Sequence, residues 1–215
     1  MKQRVLIVDD HAMMRDGLRK LLLDAPDVEV VGDVADGRTA LDLVRTLSPS
    51  LVVMDVGMPE LNGVEATRRI RTEFPAVRVL ALSTHADRRY VQHMLDAGAS
   101  GYVLKISAYD ELLRAVRAVC AGKTYLSPEV AGGVVDRALH GTPGIPASVF
   151  ERLGSREREV LQLVAEGRTS AETAREMHIS IKTVETHRRN IVQKLGLHGT
   201  AELTKYAIRE GITEL

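Results

Sequence analysis

Three carboxylates, a hydroxyl and a lysine stand where short apolar runs end. Asp9 and Asp10 close VLIV, Asp55 closes LVVM, Ser83 closes RVLAL, and Lys105 follows GYVL. Such runs read as strands, and the strands of an open parallel sheet aim their C-terminal ends at one crevice, where ligands bind. If the first and third strands are neighbours, the three acids converge. Carboxylates so crowded repel one another unless a hard cation sits among them, and Mg2+ typically takes one or two carboxylates, waters and a phosphate oxygen. The Ser83 hydroxyl and the Lys105 ammonium suit the same phosphoryl group, so phosphate chemistry is the natural hypothesis. Acids and small polar residues at strand ends also serve as helix caps. Any one of these residues is open to that reading, but capping needs alone do not assemble the set.

The elements that must position them are legible from Arg4 to about Ala121, where short apolar runs alternate with helical patterns, as in a parallel sheet with crossover helices. Five strands are expected: VLIV, EVVGDV, LVVMD, RVLALS and GYVL. LVVM and VLAL are apolar at every position, which suits strands covered on both faces. Met14, Leu18, Leu21, Leu22 and Ala25 recur at helical spacing, as do Ala40, Leu41, Val44 and Leu47. The last helix of this half is expected from about Asp110 to Ala121, ending near Gly122. The fold class is α/β: a doubly wound five-stranded parallel sheet over residues 1–122, then a linker over 123–148, then a small all-α four-helix domain over 149–215. In the linker Glu129 to Leu139 could form a short helix, and HGTPGIPAS, with two glycines and two prolines, reads as a hinge.

After Ser148 the periodicity is purely helical. Ser155 is positioned to cap a first helix and Gly167 to end it; Thr169 and Glu172 form a capping box for a second. Met177, His178 and Ile179 make a tight turn, and Ser180 caps a third helix with Val184, Ile191 and Leu195 on its apolar stripe. Lys182, Glu185, Thr186, Arg189 and Gln193 share the opposite face, a shape that suits a major groove. A face of mixed charge is also the ordinary surface of a solvated helix. His187 falls on the stripe, where packing is the expected role.

Composition bounds the reading. The chain has 215 residues, enough for one ordinary and one small core, with 45% hydrophobic and 27% charged residues. Lys plus Arg equals Asp plus Glu at 29 each, so any attraction to nucleic acid must come from a local patch. The apolar stretch before Asp9 is too short for a secretory signal and no segment could span a bilayer, so no membrane association and a cytoplasmic location are expected. The single cysteine, Cys120, lies in an apolar helical stretch and is given no role.

LIVDDH, VVMDVGMPELNGVEATR, LALST and GASGYVLK together resemble the receiver domain of bacterial two-component response regulators, over Arg4 to about Gly122. TVETHRRNIVQKLGL, supported by RERE, resembles the LuxR-type helix-turn-helix of the nitrate-response and quorum-sensing regulator class, over Leu153 to about Ile212. The first resemblance implies that Asp55 accepts the phosphoryl group and that Asp10, Asp55 and the backbone carbonyl of Gly57 hold Mg2+, with Asp9 acting through metal-bound water. It implies that Lys105 pairs with the acyl phosphate, that Ser83 turns toward it, and that Tyr102 moves from an exposed to an inward position. Many receivers have proline after the lysine; this chain has Ile106, which leaves the Lys105–Ile106 peptide open between cis and trans. His85 and Gly57 occupy positions that bear on phosphate lifetime in the family. The second resemblance places Glu185, Thr186 and Arg189 near base edges and Lys182, Arg188 and Lys194 nearer phosphates, with the last helix, carrying Leu203, Ala207 and Ile208, as a dimer contact. GTAE replaces the usual asparagine-arginine start of that helix, which puts its cap in doubt.

The function implied is a phosphorylation-controlled, DNA-binding transcriptional regulator that receives phosphate from a sensor histidine kinase and binds double-stranded DNA, as a homodimer when phosphorylated. From Glu151 onward 11 basic residues face 10 acidic ones, so one copy binds weakly and a dimer on half-sites about 10 base pairs apart is expected. Beyond modifying itself, the chain is not expected to be an enzyme. Two alternatives stay open: a phosphorylation-independent regulator whose receiver only dimerises, and a metal-dependent phosphohydrolase, against which DVGMP lacks a second acid two residues after the nucleophile.

Overall fold

The computed structural model describes residues 2–107, 109–140, 152–197 and 199–213. The chain divides into two compact units, Met1–Gly141 and Thr142–Leu215. The expected hinge lies almost wholly in 141–150, outside the described residues.

In the first unit β1 (Gln3–Val8), β2 (Val28–Val34), β3 (Leu51–Asp55), β4 (Arg78–Ser83) and β5 (Gly101–Leu104) alternate with α1 (Ala12–Leu23), α2 (Gly37–Leu47), α3 (Gly63–Glu73), α4 (Arg88–Asp96) and α5 (Tyr109–Cys120). The strands are parallel and ordered β2-β1-β3-β4-β5-β6. The sixth corrects the expected five. It is the two-residue β6 (Tyr125–Leu126), paired with β5 through Gly101 and Tyr102. Two residues carry no periodicity, so the pairing is invisible until β5 is beside it. The expected short helix in the linker segment is α6 (Pro128–His140), and it packs with α4 inside the first unit.

β3 is buried at every position and β1 from Val5 onward, which accounts for their unbroken apolar runs. Alternate side chains divide the core. Val5, Ile7, Leu51, Val53, Leu80, Leu82 and Val103 pack with Leu18 and Leu22 of α1 and Leu112, Val116 and Val119 of α5. Leu6, Val8, Val52, Met54, Val79 and Ala81 point to the other face and are equally buried. Strand order reverses between β1 and β3, so the crevice of the doubly wound sheet opens at the ends of those two strands.

The second unit contains α7 (Ser155–Ala165), α8 (Ser170–Glu176), α9 (Ile181–Leu195) and α10 (Thr200–Arg209). Leu153, Val160, Leu161, Leu163, Val164, Ala174, Met177, Val184, Ile191, Leu195, Leu203, Tyr206 and Ala207 form its core. The cap of α7 is Gly154, not Ser155: the Glu157 carboxylate folds back to accept the Gly154 N–H at 2.8 Å, which starts the helix at Ser155. Gly167 ends α7 with φ +84. No helix among the described residues is long and apolar enough to cross a membrane.

Candidate functional site

The acids that the chain separates meet at the strand-order reversal. Asp9, following β1, and Asp55, ending β3, are 1% and 4% exposed, and Asp10 sits partly buried beside them. Lys105 lies just beyond β5, where its N–H donates to the Ser83 carbonyl at 2.7 Å. Its Nζ is 2.7 Å from Asp55 Oδ2 and 2.8 Å from Asp9 Oδ2. Asp9, Asp10 and Asp55 each offer a carboxylate oxygen, and His11 a ring nitrogen, all within 4.8 Å of one another. An oxygen-rich set of this charge fits a hard divalent cation.

Electrostatics follow from burial. Desolvation, reinforced by the negative charge of Asp9, pushes the Asp55 carboxyl up to about 6, against the opposing pull of Lys105. For Lys105 burial works downward, but hydrogen bonds to Asp55 and Asp9 outweigh it and hold the ammonium above its usual range. The pocket therefore stabilises added positive charge and disfavours a second bare carboxylate.

The backbone around the pocket is tightly constrained. Asn62 caps α3 by accepting the Glu65 N–H at 2.9 Å, and this brings Gly63 against the end of β3. A Cβ on Gly63 would fall 1.9 Å from the Asp55 carbonyl oxygen, so only glycine fits. Gly57 lies half-buried in the loop between β3 and α3. Ser83 is buried and its Oγ accepts the His85 N–H at 3.1 Å. Tyr102 is fully buried in the inward position, its hydroxyl donating to the His85 carbonyl at 2.8 Å, while the His85 ring stacks on Tyr90 with centroids 4.3 Å apart. Every peptide among the described residues is trans, Lys105–Ile106 included.

Sequence reasoning missed three residues. Arg15 donates to the Asp9 carbonyl at 2.6 Å, and nothing in its helical position announced that. Ser127 is buried at the start of α6, donating to Glu111 Oε1 at 2.5 Å and accepting the Leu104 N–H at 3.3 Å, which ties α5 and α6 to the strand that leads into Lys105. His11 was the legible one, standing next to Asp10 in the chain. Cys120 is half-buried against the core, and burial pushes its thiol up, away from thiolate reactivity.

In the helical unit the expected caps form. Thr169 Oγ1 accepts the Glu172 N–H at 3.2 Å while Glu172 accepts the Thr169 N–H at 2.8 Å. Ser180 accepts the Thr183 N–H at 3.1 Å, after a turn in which His178 has φ 54. Gly199 precedes α10 without a side-chain cap, as GTAE suggested. Lys182, Glu185, Thr186, Arg189 and Gln193 are exposed on α9, and Val184, Ile191 and Leu195 are buried. His187 is half-buried with its Nδ1 enclosed, consistent with packing.

Three residues of the expected DNA face also have partners within the unit. Glu185 accepts from the Ser170 hydroxyl, and Arg188 Nη1 lies 3.4 Å from that same oxygen. Lys194 Nζ donates to both Glu157 oxygens at 2.9 and 2.7 Å. Burial raises the Glu157 pKa, but Lys194 and the Gly154 N–H together prevail and leave it lowered. These contacts brace α9 against α8 and α7.

Comparison with known proteins gives matches over both units. The family described as "Response regulator receiver domain" matches residues 5–117, and "Bacterial regulatory proteins, luxR family" matches residues 151–207. The transcriptional regulatory protein LiaR of Bacillus subtilis is 40% identical over 206 residues, covering 96% of this chain and 97% of LiaR. The transcriptional regulatory protein MctR of Rhizobium johnstonii is 39% identical over 211 residues, covering 98% of this chain and 95% of MctR. Among solved structures, RcsB from Salmonella enterica serovar Typhimurium, bound to promoter rprA in the presence of the phosphomimetic BeF3-, aligns with TM-score 0.62 at 26% identity over 96% of this chain and 98% of that one.

Proposed function

The chain belongs to the response regulators that join a receiver domain to a luxR-type DNA-binding domain, and from that premise we propose that Asp55 is its phosphoacceptor and that phosphorylation controls its binding to DNA. The single observation that carries the reading is the convergence of Asp9, Asp10, Asp55 and Lys105 at the crevice of the sheet.

A histidine kinase supplies the phosphoryl group. A carboxylate oxygen of Asp55 forms the new P–O bond as the bond to the donor breaks in line, and the leaving group departs with the electron pair. Asp10, Asp55 and the Gly57 carbonyl would hold Mg2+, with Asp9 acting through metal-bound water, and the ion would supply positive charge that offsets the phosphoryl oxygens. Lys105, already on Asp55, needs only a short shift to pair with the phosphate. Ser83 turns its hydroxyl toward the same oxygens, and Tyr102 fills the space behind it. The phosphate adds about −1.5 to −2 charges. Moving a two-state equilibrium from 1:99 to 99:1 takes about 5.5 kcal/mol, within reach of a few charge-assisted hydrogen bonds in a dry crevice.

We assign 1–122 to the receiver, 123–148 to the linker, whose opening β6 and α6 pack within the first unit, and 149–215 to DNA binding. In the cytoplasm the phosphorylated chain pairs as a homodimer. Lys182, Arg188, Arg189 and Lys194 meet DNA phosphates and base edges, with Thr186 and Glu185 between them. RcsB, of related architecture, is solved bound to promoter DNA, which supports this mode. The family matches are to regulators, so self-modification is the only catalysis assigned.

Intact mass measurement after incubation with a small acyl phosphate tests the core of the reading. One phosphate on the wild type, dependent on Mg2+ and absent from Asp55→Asn, is expected. An unmodified wild type, or a modified Asp55→Asn, overturns it.

A further inference from the structure

His11 occupies the N-cap position of α1, with φ −83 and ψ 105, yet its side chain makes no capping hydrogen bond. N-cap positions favour Ser, Thr, Asp or Asn, whose short oxygens reach the first-turn amides. A histidine there does not serve that purpose. Its imidazole turns instead to the acidic pocket: Nδ1 lies 2.8 Å from Asp10 Oδ1 and 3.5 Å from Asp9 Oδ1. The local backbone supports the pose, because Asp9 Oδ1 accepts the His11 N–H at 2.8 Å and Arg15 ties the Asp9 carbonyl at 2.6 Å. Asp9 and Asp55 are buried, whereas the His11 side chain is 69% exposed. The imidazole therefore stands at the solvent-exposed mouth of the pocket.

We propose that His11 supplies a nitrogen ligand to the acidic pocket, giving it a built-in preference for Co2+ and Ni2+ over Mg2+. This rests on the reading of Asp9, Asp10 and Asp55 as the divalent-ion site. The chemistry is ligand softness: carboxylate and carbonyl oxygens suit Mg2+, which retains its waters, while imidazole nitrogen favours later first-row ions in the Irving–Williams order. His11 and the three acids offer their ligand atoms within 4.8 Å of one another, close enough to share one ion. Mg2+ would leave the imidazole outside its retained waters, whereas Ni2+ or Co2+ would take it as a ligand.

The test uses the untagged full chain, His11→Ala, His11→Gln and Asp10→Asn/Asp55→Asn. Binding of Mg2+, Co2+ and Ni2+ is measured by calorimetry at one fixed pH, and bound Co2+ is examined by electron spin echo modulation at low temperature, which detects a coordinated 14N directly. In wild type one ion binds per chain with 14N modulation. Both His11 variants are expected to lose that modulation and to bind Ni2+ and Co2+ about tenfold or more weakly, while Mg2+ affinity changes less than about threefold. Bound Co2+ without 14N modulation, or Ni2+ affinity unchanged in His11→Ala, overturns the nitrogen ligand and leaves the acidic site standing. Binding unaffected in Asp10→Asn/Asp55→Asn overturns the acidic site itself, and the inference with it.

Discussion

The two units carry charge in opposite ways. In the receiver, charge is buried and pooled: Asp9, Asp55 and Lys105 come from three separate strand ends and share one pocket largely withdrawn from solvent. On the expected DNA face of the helical unit, charge is spread along one exposed helix, and individual residues are braced singly, Glu185 by Ser170 and Lys194 by the buried Glu157. Pooled charge under low solvation makes a site whose members strongly alter one another, as the raised pKa of Asp55 records. Dispersed charge in water makes a surface whose members act almost independently and weaken with salt. The first arrangement suits a switch and the second suits a reader of a charged polymer.

The largest effect that would sharpen this contrast is expected at Gly63. Its missing Cβ is what allows α3 to begin against the Asp55 carbonyl, so Gly63→Val must displace backbone at the pooled site. A loss of about 3 kcal/mol or more in urea unfolding of the first unit, with phosphate uptake abolished, is expected; near wild-type stability would show that the close approach is dispensable.

Next comes the energetic signature of pooling. Asp55 binds its proton more tightly in the folded state, about pH 6, than at its ordinary value of 3.8. Its contribution to stability is therefore fully present below about pH 4 and is lost as pH rises through about 6. Without divalent ions Asp55→Asn should be more stable than wild type at pH 8, by on the order of 2 kcal/mol, and the advantage should vanish at pH 4. An equal or lower melting temperature for the variant at pH 8 would break the claim that the pocket is strained by its own charge.

In the helical unit effects should be smaller and local. Thr169→Ala removes one half of the capping box of α8, and a loss of about 1 kcal/mol in thermal unfolding is expected with the receiver unaffected. Smallest is Lys194→Ala, which breaks a part-buried pair between half-exposed Lys194 and buried Glu157, whose carboxylate keeps the Gly154 N–H. Stability should change by less than about 1 kcal/mol. If Lys194 also reaches a phosphate, the slope of log affinity against log salt should shallow by about 0.9; an unchanged slope would assign it to bracing alone.

Much of this was legible along the chain. Strands buried on both faces must be apolar at nearly every position, so LVVMD and RVLALS announce both themselves and the residues at their ends. Helix starts in the second unit were equally plain, because Thr169–Glu172 and Ser180–Thr183 contacts lie within a single turn. The α7 cap was misread at Ser155 since Gly154 has no side chain to signal a cap and the work is done by Glu157 reaching back.

By itself, then, the sequence determined whatever is set by contacts between near neighbours or by a run of uniform burial: the strand and helix pattern, the caps, and which acids end which strands. Tertiary structure decided the rest. Only the sheet order brings Asp9 beside Asp55 and lets Lys105 neutralise both, and only the pairing with β5 creates β6. Only packing turns Tyr102 inward and ties Ser127 to Glu111, and only the fold turns His11 from a poor cap toward three carboxylates. The reason is physical: hydrogen bonds and charges between residues far apart in the chain leave no periodicity in it, and their energies exist only once burial has removed the water that would otherwise screen them.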